Sequence, residues 1–124
     1  MLQRAEIDCA ADPQAVRHAR SFVASTLRSW RLPDLVETAE LLVSEVVTNA
    51  ILHAASPFRL TVECRTPRMV SVEVRDSSGA APVLTSPAQD ATHGRGLLLI
   101  ELLASRWGWR PVEGGKVVWF ELTG

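Results

Sequence analysis

Glu45, Asn49 and His53 recur at four-residue spacing along an otherwise apolar stretch, Leu41-Leu42-Val43-Ser44-Glu45-Val46-Val47-Thr48-Asn49-Ala50-Ile51-Leu52-His53-Ala54. On a helix that spacing makes one slowly drifting stripe. Val46, Val47, Ala50, Ile51 and Leu52 surround the stripe with hydrocarbon, where a carboxylate or amide lacking a partner is costly. An amide oxygen such as that of Asn49 is a hard ligand suited to Mg²⁺, which usually takes few protein ligands and completes its shell with water and phosphate. Glu45, one turn earlier, is suited to orienting or deprotonating an attacking hydroxyl or water. The same spacing also describes a solvated helix face carrying an i, i+4 pair, and both readings stand at this point. His53 reads more simply as a helix-end histidine bonded to backbone.

Two further places carry chemistry. Gly94-Arg95-Gly96-Leu97 opens a second apolar helix. Paired glycines there let a ligand approach backbone N–H groups, and the helix dipole favours a phosphate. The stretch lacks the G-x-x-x-x-G-K-[ST] pattern, and the segment before it reads as a loop, so neither a Walker motif nor a dinucleotide fingerprint is present. Asp76 ends a strand in which Val70, Val72 and Val74 alternate with Ser71, Glu73 and Arg75. Parity puts its carboxylate on the valine face, where it is placed to accept a hydrogen bond from the exocyclic amine of adenine. A turn-capping aspartate before Ser77-Ser78-Gly79 is the plainer alternative.

The elements that must position these residues follow from pattern. Leu2 to Cys9 is expected as a short edge strand. Asp12 and Pro13 start a helix whose buried face holds Val16, Ala19, Phe22, Val23, Thr26 and Leu27. Pro33 and Asp34 start the second helix, which runs to about Ala54 and stops before Ser56-Pro57. Phe58, Leu60, Val62 and Cys64 alternate with polar residues, and Thr66-Pro67-Arg68 turns that strand into the one ending at Asp76. Ala80 to His93 has no period and is long for a connection, which marks a lid or binding loop. Leu97 to Ala104 is helical, and Trp107 to Val112 pairs with Lys116 to Leu122 through Glu113-Gly114-Gly115. Trp107, Trp109 and Trp119 are expected to pack that hairpin, and Lys116 to be an exposed strand charge. The fold class that follows is α/β (α+β): a two-layer sandwich of a mostly antiparallel, mixed sheet with helices on one face.

Bulk properties narrow the function. A chain of 124 residues, 47% of them hydrophobic, reads as one domain over 1–124 with a core that requires neither disulfide nor metal. Thirteen basic residues against fourteen acidic ones leave a net charge of −1, which argues against nucleic acid or an anionic membrane as the main partner. Cys9 and Cys64 are isolated and read as reduced core residues, and no apolar run reaches membrane-span length. A cytoplasmic location is expected. His18, His53 and His93 are too scattered for zinc, and no G-x-S-x-G elbow occurs.

The order of these features resembles the GHKL superfamily of ATPases and kinases. Glu45 to Ala54 is similar to its N box, Asp76-Ser77-Ser78-Gly79 to a G1 box, and Gly94-Arg95-Gly96-Leu97 to a G2 box. Gly115-Lys116-Val117-Val118-Trp119-Phe120-Glu121-Leu122 resembles its last strand. The closest subgroup is the anti-sigma-factor serine/threonine kinases of bacterial partner-switching systems, in their short actinobacterial form. The resemblance implies the Bergerat ATP-binding fold and, as cofactors, ATP and Mg²⁺. By it, Asn49 holds Mg²⁺, Glu45 is the catalytic base, Asp76 binds the adenine amine, and Gly79 lines the base pocket. Gly94, Gly96 and Leu97 belong to the phosphate loop, and Arg95 either adds a phosphate contact or faces solvent. One departure is visible: a G1 box carries a second glycine soon after the first, whereas Gly79 is followed by Ala80-Ala81-Pro82.

The resemblance implies a kinase that phosphorylates an antagonist protein on serine or threonine and sequesters a sigma factor. A non-catalytic partner-switch module that acts only by binding is the alternative. A histidine-kinase catalytic domain is disfavoured, because no dimerising phospho-acceptor helix accompanies it. Relatives of this type are commonly dimers, and the first strand with the first helix is the candidate interface.

Overall fold

The computed structural model describes residues 2–78 and 96–124, and for His53 and residues 96–98 it describes the backbone alone. Five strands form one sheet: β1 (Gln3–Cys9), β2 (Phe58–Thr66), β3 (Met69–Asp76), β4 (Arg106–Val112) and β5 (Gly115–Thr123). Their spatial order is β1-β2-β3-β5-β4, and each neighbouring pair is antiparallel. The helices are α1 (Gln14–Ser29), α2 (Val36–His53), entered through a 3₁₀ turn at Pro33–Leu35, and α3 (Gly96–Leu103). Helices cover one face of the sheet, as the two-layer sandwich expected from the sequence requires.

Strand parity builds the core. Leu60, Val62, Val70, Val72, Val74, Phe120 and Leu122 all point inward and are buried against the helices. From above, α2 supplies Ala39, Leu42, Val43, Val46, Val47 and Ala50, all buried. The β-branched valines are weak helix formers, so tertiary packing rather than propensity holds this helix in place. Ser44 folds its hydroxyl onto the Glu40 carbonyl at 2.7 Å, which removes a donor from the apolar surround.

The ends of the elements are set locally. Asp12 accepts from the Gln14 backbone N–H at 2.8 Å, so the expected cap at the start of α1 is present. That helix closes with Leu32 N–H on the Leu27 carbonyl and Arg31 N–H on the Arg28 carbonyl, which puts Arg31 at φ 61°. This is a Schellman ending with a side chain where glycine is the easier residue. After α2 the chain turns through Ala55, also left-handed at φ 51°, and Ser56 then accepts the Ser77 N–H at 3.3 Å. The loop after α2 is thus tied to the end of β3.

The outer face of the sheet is polar and cross-linked. Arg59 reaches Asp8 at 2.8 Å, Thr61 donates to Glu6 at 3.2 Å, and Arg110 pairs with Glu73 at 3.2 Å. Trp119 lies over Gly108, its cross-strand partner, and the Arg106 guanidinium stands 5.9 Å from the indole centroid. Such exposed pairs contribute little each, and their effect is to keep β1 and β4, the two edges, in register. Cys9 and Cys64 are both free and buried, as expected. Among the described residues, no helix is long and apolar enough to cross a membrane.

Candidate functional site

The site is assembled where α2 passes over the ends of β3 and β5. Antiparallel pairing sets Asp76, the last residue of β3, opposite Lys116, the second residue of β5. Both side chains turn to the helix-covered face, because Asp76 shares parity with Val70, Val72 and Val74 and Lys116 with Val118, Phe120 and Leu122. The Lys116 ammonium lies 2.9 Å from one Asp76 oxygen and 3.2 Å from the other. Both side chains are nearly sealed, at 3% and 2% exposure. A buried charge survives only when paired and hydrogen-bonded, and here each charge compensates the other.

Lys116 is the clearest correction to the sequence reading, which expected an exposed strand charge. The signal was present in the chain. Lys116 keeps the two-residue register of the core side chains of β5, and its opposite number, Asp76, is an inward-facing carboxylate. Gly115 was also missed. A Cβ built there would overlap the Asp76 carbonyl oxygen and lie 2.8 Å from its carbonyl carbon and 2.9 Å from Ser77 Cα. Glycine lets β5 begin hard against the end of β3, which brings Lys116 to Asp76.

Asp76 faces inward as parity expected, and it also caps the turn, the plainer of the two sequence readings. One carboxylate oxygen accepts the Ser78 backbone N–H at 2.8 Å, closing the turn after the strand. The same side chain lines a cleft with Asn49 from α2 and Lys116 from β5, walled by Val46, Ala50, Val74 and Val118. The cleft is narrow, with an accessible volume of about 10 Å³, roughly the room of one water molecule. Asn49 and Asp76, 27 positions apart in the chain (76 − 49), therefore meet in one place. Glu45 stands one turn back on α2 and is half-buried, not on a solvated face; neither it nor Asn49 is without a partner.

A wider groove also borders Asp76, with Arg59, Arg75, Ser77 and Glu113 on its walls. Arg59 pairs there with Asp8, and Arg75 donates to the Glu113 backbone carbonyl at 2.9 Å. The hydrogen bond from Arg59 holds the Asp8 carboxyl below the usual carboxylate range, and the hydrogen bond from Arg4 does the same for Glu6. The smaller cleft is the one that brings Asn49 and Asp76 together.

Gly96 and Leu97 open α3, which packs against α2 and β4, so a helix begins where the sequence placed one. Gly79, Gly94 and Arg95 lie outside the described residues, as does the Ala80 to His93 segment. Among the described residues no three His, Cys, Asp or Glu side chains converge as a ready cation cage. The donor set suits a metal carried largely by phosphate oxygens and met by one amide oxygen, that of Asn49.

Residues 9–122 match the model of a family described as the histidine kinase-like ATPase domain. Among solved structures, the chain is similar to the RsbU and RsbW domains of Rv1364c from Mycobacterium tuberculosis, with a TM-score of 0.69 and 18% identity. That similarity covers 98% of this chain and 32% of the other, so this chain spans about a third of the length of the protein it matches. At such identity the likeness speaks to the fold alone. No curated protein matches.

Proposed function

Because the chain belongs to the family of histidine kinase-like ATPase domains, we propose that it binds Mg-ATP at the Asn49–Asp76 cleft and works as a protein serine/threonine kinase of a partner-switching system. Its substrate is an anti-sigma-factor antagonist, and its second partner is a sigma factor that it sequesters while the antagonist is phosphorylated. The observation that carries the reading is the convergence of an amide from α2 and a carboxylate from β3, with its Lys116 partner, on one cleft walled by Val46, Ala50, Val74 and Val118.

In this account each residue has a separate task. Asp76 accepts a hydrogen bond from the adenine amine. The Asn49 amide oxygen would hold Mg²⁺, whose chemistry there would be to offset negative charge on the phosphates. Gly94 and Gly96 give the phosphates access to backbone N–H groups at the start of α3, Arg95 adds a charge-assisted contact, and Gly79 borders the base. Glu45 receives the proton of the attacking serine or threonine hydroxyl. That oxygen forms the new bond to the γ-phosphorus, the bond from the γ-phosphorus to the β–γ bridging oxygen breaks, and ADP leaves. Positioning and electrostatics supply most of the rate in such transfers.

The test is incubation of the chain with its antagonist and γ-labelled ATP. The kinase reading expects label on a serine or threonine of the antagonist, abolished by Asn49→Ala and strongly reduced by Glu45→Ala. Nucleotide binding without label would move the assignment to the binding-only module. The absence of a second glycine after Gly79 is the sequence feature that favours that outcome.

A further inference from the structure

Lys116 has no task in the account above beyond balancing the charge of Asp76, yet it lines the same cleft. The donors and acceptors can be counted. An ammonium carries three N–H donors, and among the described residues its contacts are two, both to the Asp76 carboxylate. At least one N–H remains for the cleft that Lys116 lines. The carboxylate offers about four lone-pair sites. Two face Lys116 and one takes the Ser78 N–H, which leaves one acceptor. The pair therefore presents one acceptor beside one donor, fixed in a nearly water-free floor between Val74 and Val118.

We infer that Lys116 is a specificity-determining residue, and that it reads the nucleobase jointly with Asp76. The adenine amine donates to Asp76, and Lys116 donates to a ring nitrogen flanking that amine. This inference rests on the proposed adenine contact of Asp76 and adds the second half of the recognition. Adenine presents a donor beside an acceptor along that edge, whereas guanine presents an oxygen where adenine has its amine. A carbonyl oxygen facing the Asp76 lone pair would be repelled, and a buried site punishes such mismatches more than a wet one. The pairing also explains why a lysine is kept inside the sheet. An apolar residue at 116 would leave Asp76 uncompensated, and a short polar one would not reach across the strand pair to the cleft.

The experiment is titration of the wild-type chain with ATP, 7-deaza-ATP, 1-deaza-ATP and purine riboside triphosphate, all with Mg²⁺. One of the two deaza analogues is expected to bind about tenfold or more weakly than ATP, the order of one hydrogen bond from a charged donor. In Lys116→Met that penalty disappears, so ATP and the same analogue bind alike. Should Lys116→Met fail to fold, Asp76→Asn/Lys116→Met, which leaves no lone buried charge, is expected to show the same loss of discrimination. Both deaza analogues binding like ATP would overturn the inference, as would a deaza penalty that survives the loss of Lys116. The purine analogue separates the two layers: if it binds like ATP, the Asp76–amine contact itself is wrong, whatever the deaza analogues show.

Discussion

Replacing Gly115 by alanine should break the site by moving backbone rather than by removing a functional group. The added Cβ overlaps the Asp76 carbonyl oxygen and stands 2.8 Å from the carbonyl carbon, whereas ordinary contact begins at 3.4 Å. The strand ends must separate by at least 0.6 Å (3.4 − 2.8), and more to clear the oxygen. No flexible side chain can yield, because all three nearest atoms are main chain. Overpacking of this kind costs about 1–3 kcal/mol, and a weakened ladder hydrogen bond adds about 1 kcal/mol. The expected loss is about 2–4 kcal/mol, read from urea unfolding followed by tryptophan fluorescence. Gly114→Ala is the control. Gly114 has φ +79° and nothing within 4 Å of its would-be Cβ, so it carries only a conformational cost of about 1 kcal/mol. Nucleotide affinity should also fall in Gly115→Ala, because Asp76 and Lys116 move apart, and hold in Gly114→Ala. A Gly115→Ala protein as stable as Gly114→Ala, with unchanged ATP binding, would refute the argument.

Other expectations follow from the edges and ends of the fold. Asp8 and Glu6 have lowered carboxyl pKa values, so the stability they lend β1 is present above the ordinary carboxylate range and lost as pH falls through the lowered values. Protection factors of β1 amides should therefore drop in acid before those of β3, and Asp8→Asn should remove part of that difference. Burial, with Asp8 and Asp12 nearby, pushes the Cys9 thiol above its usual value. Its contribution is complete below the ordinary thiol pKa and fades as pH rises through the raised one, so alkylation of native Cys9 at neutral pH should proceed only as fast as the protein opens. Arg31→Gly relieves the left-handed strain at the end of α1 and should stabilise by about 0.5–1 kcal/mol in the same urea assay.

The fold was legible because the strands alternate cleanly and the helices carry recognisable stops. Val70, Val72 and Val74 against Ser71, Glu73 and Arg75 fix both the strand and the inward direction of Asp76. The approach of α2 to that carboxylate was not legible from periodicity, since no local pattern says that β5 inserts between β3 and β4. Insertion of β5 is what sets Lys116 opposite Asp76. Parity with Phe120 and Leu122 placed Lys116 inside, but charge made the outside seem the natural home, and the pairing that reconciles the two is a long-range fact. Gly115 is hidden for a similar reason: its necessity comes from the Asp76 carbonyl, 39 positions away in the chain (115 − 76). Glu45 and Asn49 were legible as a stripe, and the half-burial of both decides against a purely solvated face.

The central claim is that Asn49 and Asp76 form one nucleotide cleft, and calorimetric titration with ATP tests it most directly. The wild-type chain and Asn49→Ala are titrated side by side, with and without Mg²⁺. Metal-dependent binding by the wild type that is lost in Asn49→Ala is the predicted result. Absence of binding at millimolar ATP, or binding that Asn49→Ala leaves unchanged, would contradict the account.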